Sequence, residues 1–222
     1  MMVSQSSPPA VHVIDDDERF RTAMIRMLTS AGFRPIGYGC AGEFLLAASG
    51  EVAGCMLLDI GMPGPSGIDL FKALFGRERL PPVIFLTGRD DVDTCVDLMK
   101  SGAHAYLVKP VGAEQMVPVV RRALHIDAQR RTERREFDEL RRRLDTLTYF
   151  EHVILRGILR GRLNKQLADD LGAAERTIKA HRARIMRRLQ VSTLPELVRA
   201  ARLLETGKDL CSLDDGNRHP PN

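Results

Sequence analysis

The chain has 222 residues, 44% hydrophobic and 28% charged, which is enough for one large or two small globular domains with a real core. No apolar run approaches the ~18 residues a membrane span needs, the four cysteines are far apart without metal-ligand spacing, and with no Trp and 5% aromatic residues a wide base-stacking surface is excluded. Charge is uneven: residues 1–120 carry 10 Lys and Arg against 14 Asp and Glu, a net of −4, whereas residues 121–222 carry 23 against 15, a net of +8. The halves therefore suit different partners, and the basic half is the candidate for a polyanion, although an Arg-rich solvated helix surface would look the same.

The first 120 residues alternate apolar runs with helical patterns. The runs are "VHVI" (11–14), "PIGY" (35–38), "CMLL" (55–58), "VIFLT" (83–87) and "AYLV" (105–108). The central three show almost no polar alternation, as expected of strands buried on both faces of a parallel sheet. Helices are predicted near 18–31, 41–49, 66–76, 91–101 and from 113 onward, with Gly32 and Gly102 at C-terminal cap positions. Five strands alternating with five helices predict a doubly wound α/β domain, whose site lies beyond the carboxyl ends of its strands. Those ends carry Asp15, Asp16 and Asp17 after the first strand, Asp59 after the third, Thr87 at the fourth and Lys109 after the fifth. Strand packing requires polar groups at none of them.

Beyond residue 120 the pattern changes. "VVRRALHIDAQRRTERREFDELRRRLDTL" lacks Gly and Pro and predicts one long helix. Val119, Ala123, Ile126, Phe137, Leu140, Leu144 and Leu147 follow a 4-3 spacing, with Arg130 and Glu133 on the same seam. Two readings stand, a weak coiled-coil stripe and a solvated linker helix. Four shorter helices follow between 148 and 204, split by Gly161, Gly172 and "VSTLP", and the polar, Pro-rich end from about 205 predicts disorder. The N-terminus has no basic segment followed by an apolar one, so no secretory signal is read and a soluble cytoplasmic protein with free thiols is expected.

Adjacent acids repel one another, and a bound dication would offset that repulsion. Magnesium takes oxygen ligands and uses only one or two carboxylates beside water and phosphate. A neighbouring carboxylate can then accept a phosphoryl group, whose equatorial oxygens need further cations and hydrogen-bond donors. Lys109 and Thr87 have the right chemistry. Asp17 and Glu18 read instead as acids favourable to a helix N-terminus.

The pieces "VIDDDE", "LLDIGMPGPSG", "FLTG" and "AYLVKP" resemble the receiver domain of two-component response regulators, over roughly residues 10–126. The resemblance implies a flavodoxin-like five-stranded sheet, Asp59 as phosphoacceptor, and Mg2+ held by Asp15, Asp16, Asp59 and the Gly61 carbonyl. It also implies Thr87 and Lys109 as phosphate-contacting groups, Tyr106 as an aromatic switch, and a cis Lys109–Pro110 bond. Without the family pattern Tyr106 reads equally as a half-buried strand residue. Gly61 stands where many relatives carry a side chain, and an aromatic residue frequent after Lys109–Pro110 is missing.

The segment "LNKQLADDLGAAERTIKAHRARIMRRLQV" (163–191) gives two helices joined at Gly172, a helix-turn-helix pattern. Ile178, Ile185 and Leu189 would face inward, and Arg176, Lys179, Arg182, Arg184, Arg187 and Arg188 outward. With Leu147, Thr148, Glu151, Leu155, Gly161 and Asn164 it resembles the LuxR-type DNA-binding domain of FixJ/NarL response regulators, over about 147–204. Of the run "LTYFEHVIL", only Glu151 keeps the usual charged opening. The resemblance places Lys179, Ala180 and positions one turn further on, such as Arg182 and Ala183, toward base edges, Arg184 among the DNA-binding residues, and Lys165 and Thr177 toward the backbone. His181 stays open between a phosphate contact and a packed helix residue.

The expected organisation is a receiver at 10–126, a helical linker at 127–146, an all-α helix-turn-helix domain at 147–204 and a disordered tail at 205–222. The expected function is a transcription regulator, not an enzyme, that accepts a phosphoryl group from a sensor histidine kinase, dimerises and binds double-stranded DNA, with RNA polymerase as a further implied partner. Two alternatives remain. One is a constitutive DNA-binding protein with a structural receiver. The other is an aspartyl-phosphate phosphohydrolase, which wants D-x-D-x-T/V at the first strand where Asp15-x-Asp17 runs into Glu18 and Arg19.

Overall fold

The computed structural model describes residues 9–48, 52–75, 80–88 and 92–205. Cys211, the Cys95 side chain and the tail beyond 205, where disorder is expected, lie outside the described residues. The chain divides into two units at Arg131 and Thr132.

The first unit is a five-stranded parallel sheet in the order β2-β1-β3-β4-β5. Its strands are β1 (Ala10–Ile14), β2 (Arg34–Tyr38), β3 (Gly54–Asp59), β4 (Val83–Thr87) and β5 (Ala105–Val108). The helices between them are α1 (Glu18–Ser30), α2 (Ala41–Ala47), α3 (Gly67–Leu74) and α4 (Val92–Lys100), and α5 (Ala113–Leu144) follows β5. Strands β3 and β4 are buried along their whole length, as their apolar runs predict, and so is β1 despite His12. Strand β2, the third run expected to be buried on both faces, lies instead at the edge of the sheet and is partly exposed. One face of the sheet packs Phe44, Met56, Leu58, Leu70, Phe71 and Phe85. The other packs Val13, Leu28, Leu57, Leu86, Met116 and Val120.

Helix α5 carries the sequence's long charged run as one helix. The α5 residues fully buried on the sheet are Met116, Val120 and the seam residue Ala123, with Asp127 buried one turn further on. Val119 and Ile126, on the predicted seam, are only partly buried. The last seam residues, Phe137, Leu140, Leu144 and Leu147, belong to the core of the second unit. Within this chain the two ends of the stripe thus serve two separate cores. Asp127 was not singled out in the sequence. Its carboxylate accepts the Gly54 N–H at 2.9 Å and pairs with Arg131 at 2.9 Å, fixing α5 to the start of β3.

The second unit packs α6 (Tyr149–Leu159), α7 (Asn164–Leu171), α8 (Glu175–Leu189) and α9 (Leu194–Glu205) around Ile154, Leu155, Ile158, Leu167, Ile178, Ile185 and Leu197. Helix α7 ends at Gly172, whose φ of 60° is the left-handed conformation glycine adopts at low cost. Ile178, Ile185 and Leu189 face inward as the spacing predicts. Among the described residues no helix is long and apolar enough to cross a membrane.

Candidate functional sites

The "DDDE" run separates into distinct local roles. Asp15 follows β1 and is fully buried, and its Oδ1 accepts the Asp17 N–H at 3.0 Å. Asp17 is the N-cap of α1, its Oδ1 accepting from the Arg19 N–H at 2.9 Å and the Phe20 N–H at 3.2 Å. Those two bonds hold its carboxyl below the usual aspartate range. Glu18 lies in the first turn, where the helix dipole favours an anion. Asp16 is exposed.

Asp59 is the last residue of β3, beside β1 in the sheet order, and is almost fully buried. Gly67 opens α3 directly behind it, where a Cβ would overlap the Asp59 carbonyl, so this close approach requires glycine. Oxygens of Asp15, Asp16 and Asp59 all lie within 4.8 Å of one another. Three carboxylates so close, with no nitrogen or sulfur donor among them, fit a hard dication. Gly61 lies two residues beyond Asp59, in the loop between β3 and α3.

Lys109 reaches the same cluster from the end of β5. Its Nζ lies 2.7 Å from Asp15 Oδ2 and 3.0 Å from Asp59 Oδ1, and 4.3 Å from the centroid of the Phe20 ring. Burial raises the Asp15 pKa, the Lys109 hydrogen bond and charge oppose that, and the Asp59 charge adds to it, leaving it above the ordinary aspartate range. For Lys109, burial alone would lower the ammonium pKa, but hydrogen bonds and charge from Asp15 and Asp59 outweigh that and raise it. The Lys109 N–H donates to the Thr87 carbonyl at 2.7 Å, joining the ends of β4 and β5. Thr87 is buried at the end of β4, Tyr106 on β5 is 41% exposed, and the Lys109–Pro110 peptide is cis.

In the second unit Lys165, Thr177, Lys179, Ala180 and Arg184 are exposed, the last four on α8. Arg182 is partly buried, and its Nη1 lies 3.3 Å from Asn164 Oδ1. His181 packs edge-on to the Phe150 ring, with Nδ1 3.8 Å from Glu151 Oε1. That geometry suits a packed helix residue better than a phosphate contact. Arg188, grouped in the sequence with the outward basic residues, instead donates to the Thr146 carbonyl at 2.7 Å and to Glu151 Oε2 at 2.9 Å.

Glu151 is thus a structural centre that the sequence marked only as a family match. It is fully buried on α6, forms a capping box with Thr148, and lies 3.9 Å from Arg184 as well as against Arg188. Burial alone would raise its pKa. The Thr148 N–H, the Arg188 charge, the Thr148 hydroxyl and the Arg184 charge overcome that and hold it below the ordinary glutamate range. The threonine three residues ahead of Glu151 was the legible signal of the cap. Arg188, 37 residues away, was legible only as one of many arginines.

Comparison with known proteins agrees in both units. The family model "Response regulator receiver domain" matches residues 11–121, and "Bacterial regulatory proteins, luxR family" matches residues 145–201. The chain is 36% identical over 193 residues to the transcriptional regulatory protein FixJ of Azorhizobium caulinodans, covering 87% of this chain and 92% of the relative. It is 33% identical over 195 residues to the response regulator protein TodT of Pseudomonas putida, covering 88% and 86%. Among solved structures, the response regulator StyR superposes with a TM-score of 0.80 at 38% identity, over 90% of this chain and all of that one. Full-length FixJ from B. japonicum gives 0.54 at 31% identity, over 90% and 99%. With strand ends that gather acids around a lysine, a basic helix-turn-helix, and family matches over both units, the chain belongs to the two-component response regulators that join a receiver to a LuxR-type DNA-binding domain.

Proposed function

We propose that Asp59 accepts a phosphoryl group from a sensor histidine kinase, and that this modification controls DNA binding by the second unit. The observation that carries the reading is Lys109 lying 3.0 Å from Asp59 and 2.7 Å from Asp15 in a cluster with more anions than cations. An Asp59 oxygen attacks phosphorus in line with the leaving group, and the bond to that group breaks. Asp15, Asp16, Asp59 and the Gly61 carbonyl would hold Mg2+, which when bound neutralises charge on the phosphoryl oxygens. Lys109 neutralises a further oxygen, and the Thr87 hydroxyl donates to another.

Drawing Thr87 and Lys109 toward the phosphoryl group would shift the neighbouring α4–β5 surface, with Tyr106 as the side chain that follows. That surface exposes Val96, Met99, Tyr106 and Val108, an apolar set suited to a homodimer formed on phosphorylation. A dimer presents two copies of α8 to two half-sites, raising effective affinity through bivalency. On α8, Lys179, Ala180, Arg182 and Ala183 would face base edges, with Arg184 a further DNA contact and Lys165 and Thr177 on phosphates. The working receiver is 10–126, the linker 127–146 and the DNA-binding domain 147–204. RNA polymerase is the further partner through which bound regulator would act.

Incubation with a small acyl phosphate and Mg2+, followed by intact-mass measurement, tests the chemistry. Wild type gains one phosphoryl group and Asp59→Asn gains none. Equal labelling of both would remove Asp59 from the role. For DNA, Lys179→Ala should weaken binding to the specific site by about 1–3 kcal/mol, more than to random DNA. Equal losses on both DNAs reduce Lys179 to a phosphate contact. Affinity should also fall steeply with salt, and a flat salt series would argue against DNA as the partner.

A further inference from the structure

Lys109 has two anionic partners, and both are groups that the proposed chemistry engages. Its third neighbour is different in kind. The Nζ atom lies 4.3 Å from the centroid of the Phe20 ring, within the range where the negative face of an aromatic ring attracts an ammonium group.

Phe20 is itself held firmly. Its N–H donates to the Asp17 cap at 3.2 Å. The next residue, Arg21, donates from Nη1 to the Asp15 carbonyl at 2.6 Å, tying the first turn of α1 to the acid loop. Its side chain is partly buried and packs against the apolar cluster that includes Met116 and Val120 of α5.

We infer that Phe20 is a positioning residue, whose ring face holds the Lys109 ammonium over the acid cluster. The inference rests on the proposed role of Asp59 and Lys109 in accepting a phosphoryl group. When Asp15 and Asp59 oxygens are engaged by a dication and by phosphorus, Lys109 loses part of its carboxylate pairing. The aromatic face carries no net charge, competes for no oxygen ligand and is unaltered by that change. It keeps the ammonium aimed at the position a phosphoryl oxygen takes. An aliphatic side chain of similar size would fill the same space without holding the cation.

Two variants of the full-length chain separate these roles. Phe20→Tyr keeps the ring face, and Phe20→Leu keeps apolar bulk alone. In the metal-free protein, NMR of the Lys109 ε-methylene protons should show an upfield ring-current shift in wild type and Phe20→Tyr, lost in Phe20→Leu. With acyl phosphate and saturating Mg2+, Phe20→Leu should label Asp59 about two- to five-fold more slowly, with Phe20→Tyr near wild type and half-saturating Mg2+ unchanged in both. Wild-type-like labelling of Phe20→Leu, or equal slowing of both variants, overturns the inference, the latter by reducing Phe20 to packing. Absence of the ring-current shift in wild type overturns it too. If wild type itself takes up no phosphoryl group, the Asp59 reading fails, and the NMR comparison still decides whether Phe20 holds Lys109.

Discussion

Each unit buries carboxylate charge, and the two sites are balanced in opposite ways. Around Asp15 and Asp59, one lysine pairs with two of three clustered acids, and the Asp15 pKa is raised. Around Glu151, one acid meets Arg188, Arg184 and a complete helix cap, and its pKa is lowered. The first cluster has more carboxylates than cations of the chain. In the second, cations of the chain itself outnumber the one carboxylate, and the Arg188 bond joins α6 to α8. A buried charge by itself therefore says little about function. Its balance of partners distinguishes a site that receives a ligand from one that holds a helix.

Breaking the balanced cluster should have the largest effect on stability. Glu151→Ala removes the cap and the Arg188 pair together, and should destabilise the second unit by about 3 kcal/mol. Hydrogen exchange along α8, which should become less protected, measures it. Undiminished protection would mean that Glu151 does not hold the helix.

Relieving the unbalanced cluster should act in the other direction. Asp15→Asn should stabilise the metal-free first unit by up to ~1 kcal/mol while weakening its Mg2+ binding. Urea denaturation with and without Mg2+ reads both, and destabilisation of the metal-free protein would show that Asp15 is needed for packing.

The two clusters should also respond to pH with opposite signs. Asp15 is raised above its ordinary 3.8, so its ionisation costs stability, and the advantage of Asp15→Asn over wild type should grow as pH rises above that value. Glu151 is depressed below its ordinary 4.5, so the advantage of wild type over Glu151→Gln should be full above 4.5 and fade as pH falls through the depressed value. Differences that run in parallel would erase the distinction between the clusters.

The smallest effect should come from within the Glu151 cluster. Arg184, 3.9 Å from the carboxylate and mostly exposed, should cost only ~0.5 kcal/mol of stability when changed to Ala. Arg188→Ala should cost more, because it removes bonds at 2.7 and 2.9 Å.

The sequence by itself determined the local order of the molecule. Apolar runs without alternation marked β3 and β4 as buried strands, glycines marked helix ends, and polar groups at four strand ends marked the acid site, because strand burial and helix capping are short-range consequences of residue type. That β2 is an edge strand was not legible, because strand order is set by the tertiary fold. The places of Asp17 at a helix N-terminus and of Ile178, Ile185 and Leu189 in the core were legible for the same short-range reason, while the capping bonds of Asp17 were not singled out. Tertiary structure decided the partnerships between distant residues. It joined Arg188 to Glu151, set Phe20 under Lys109, and buried Asp127 against Gly54. It also assigned the α5 stripe to two cores. Each of these depends on which of several chemically equivalent side chains the packed backbone brings within a few ångströms, and residue order does not encode that distance.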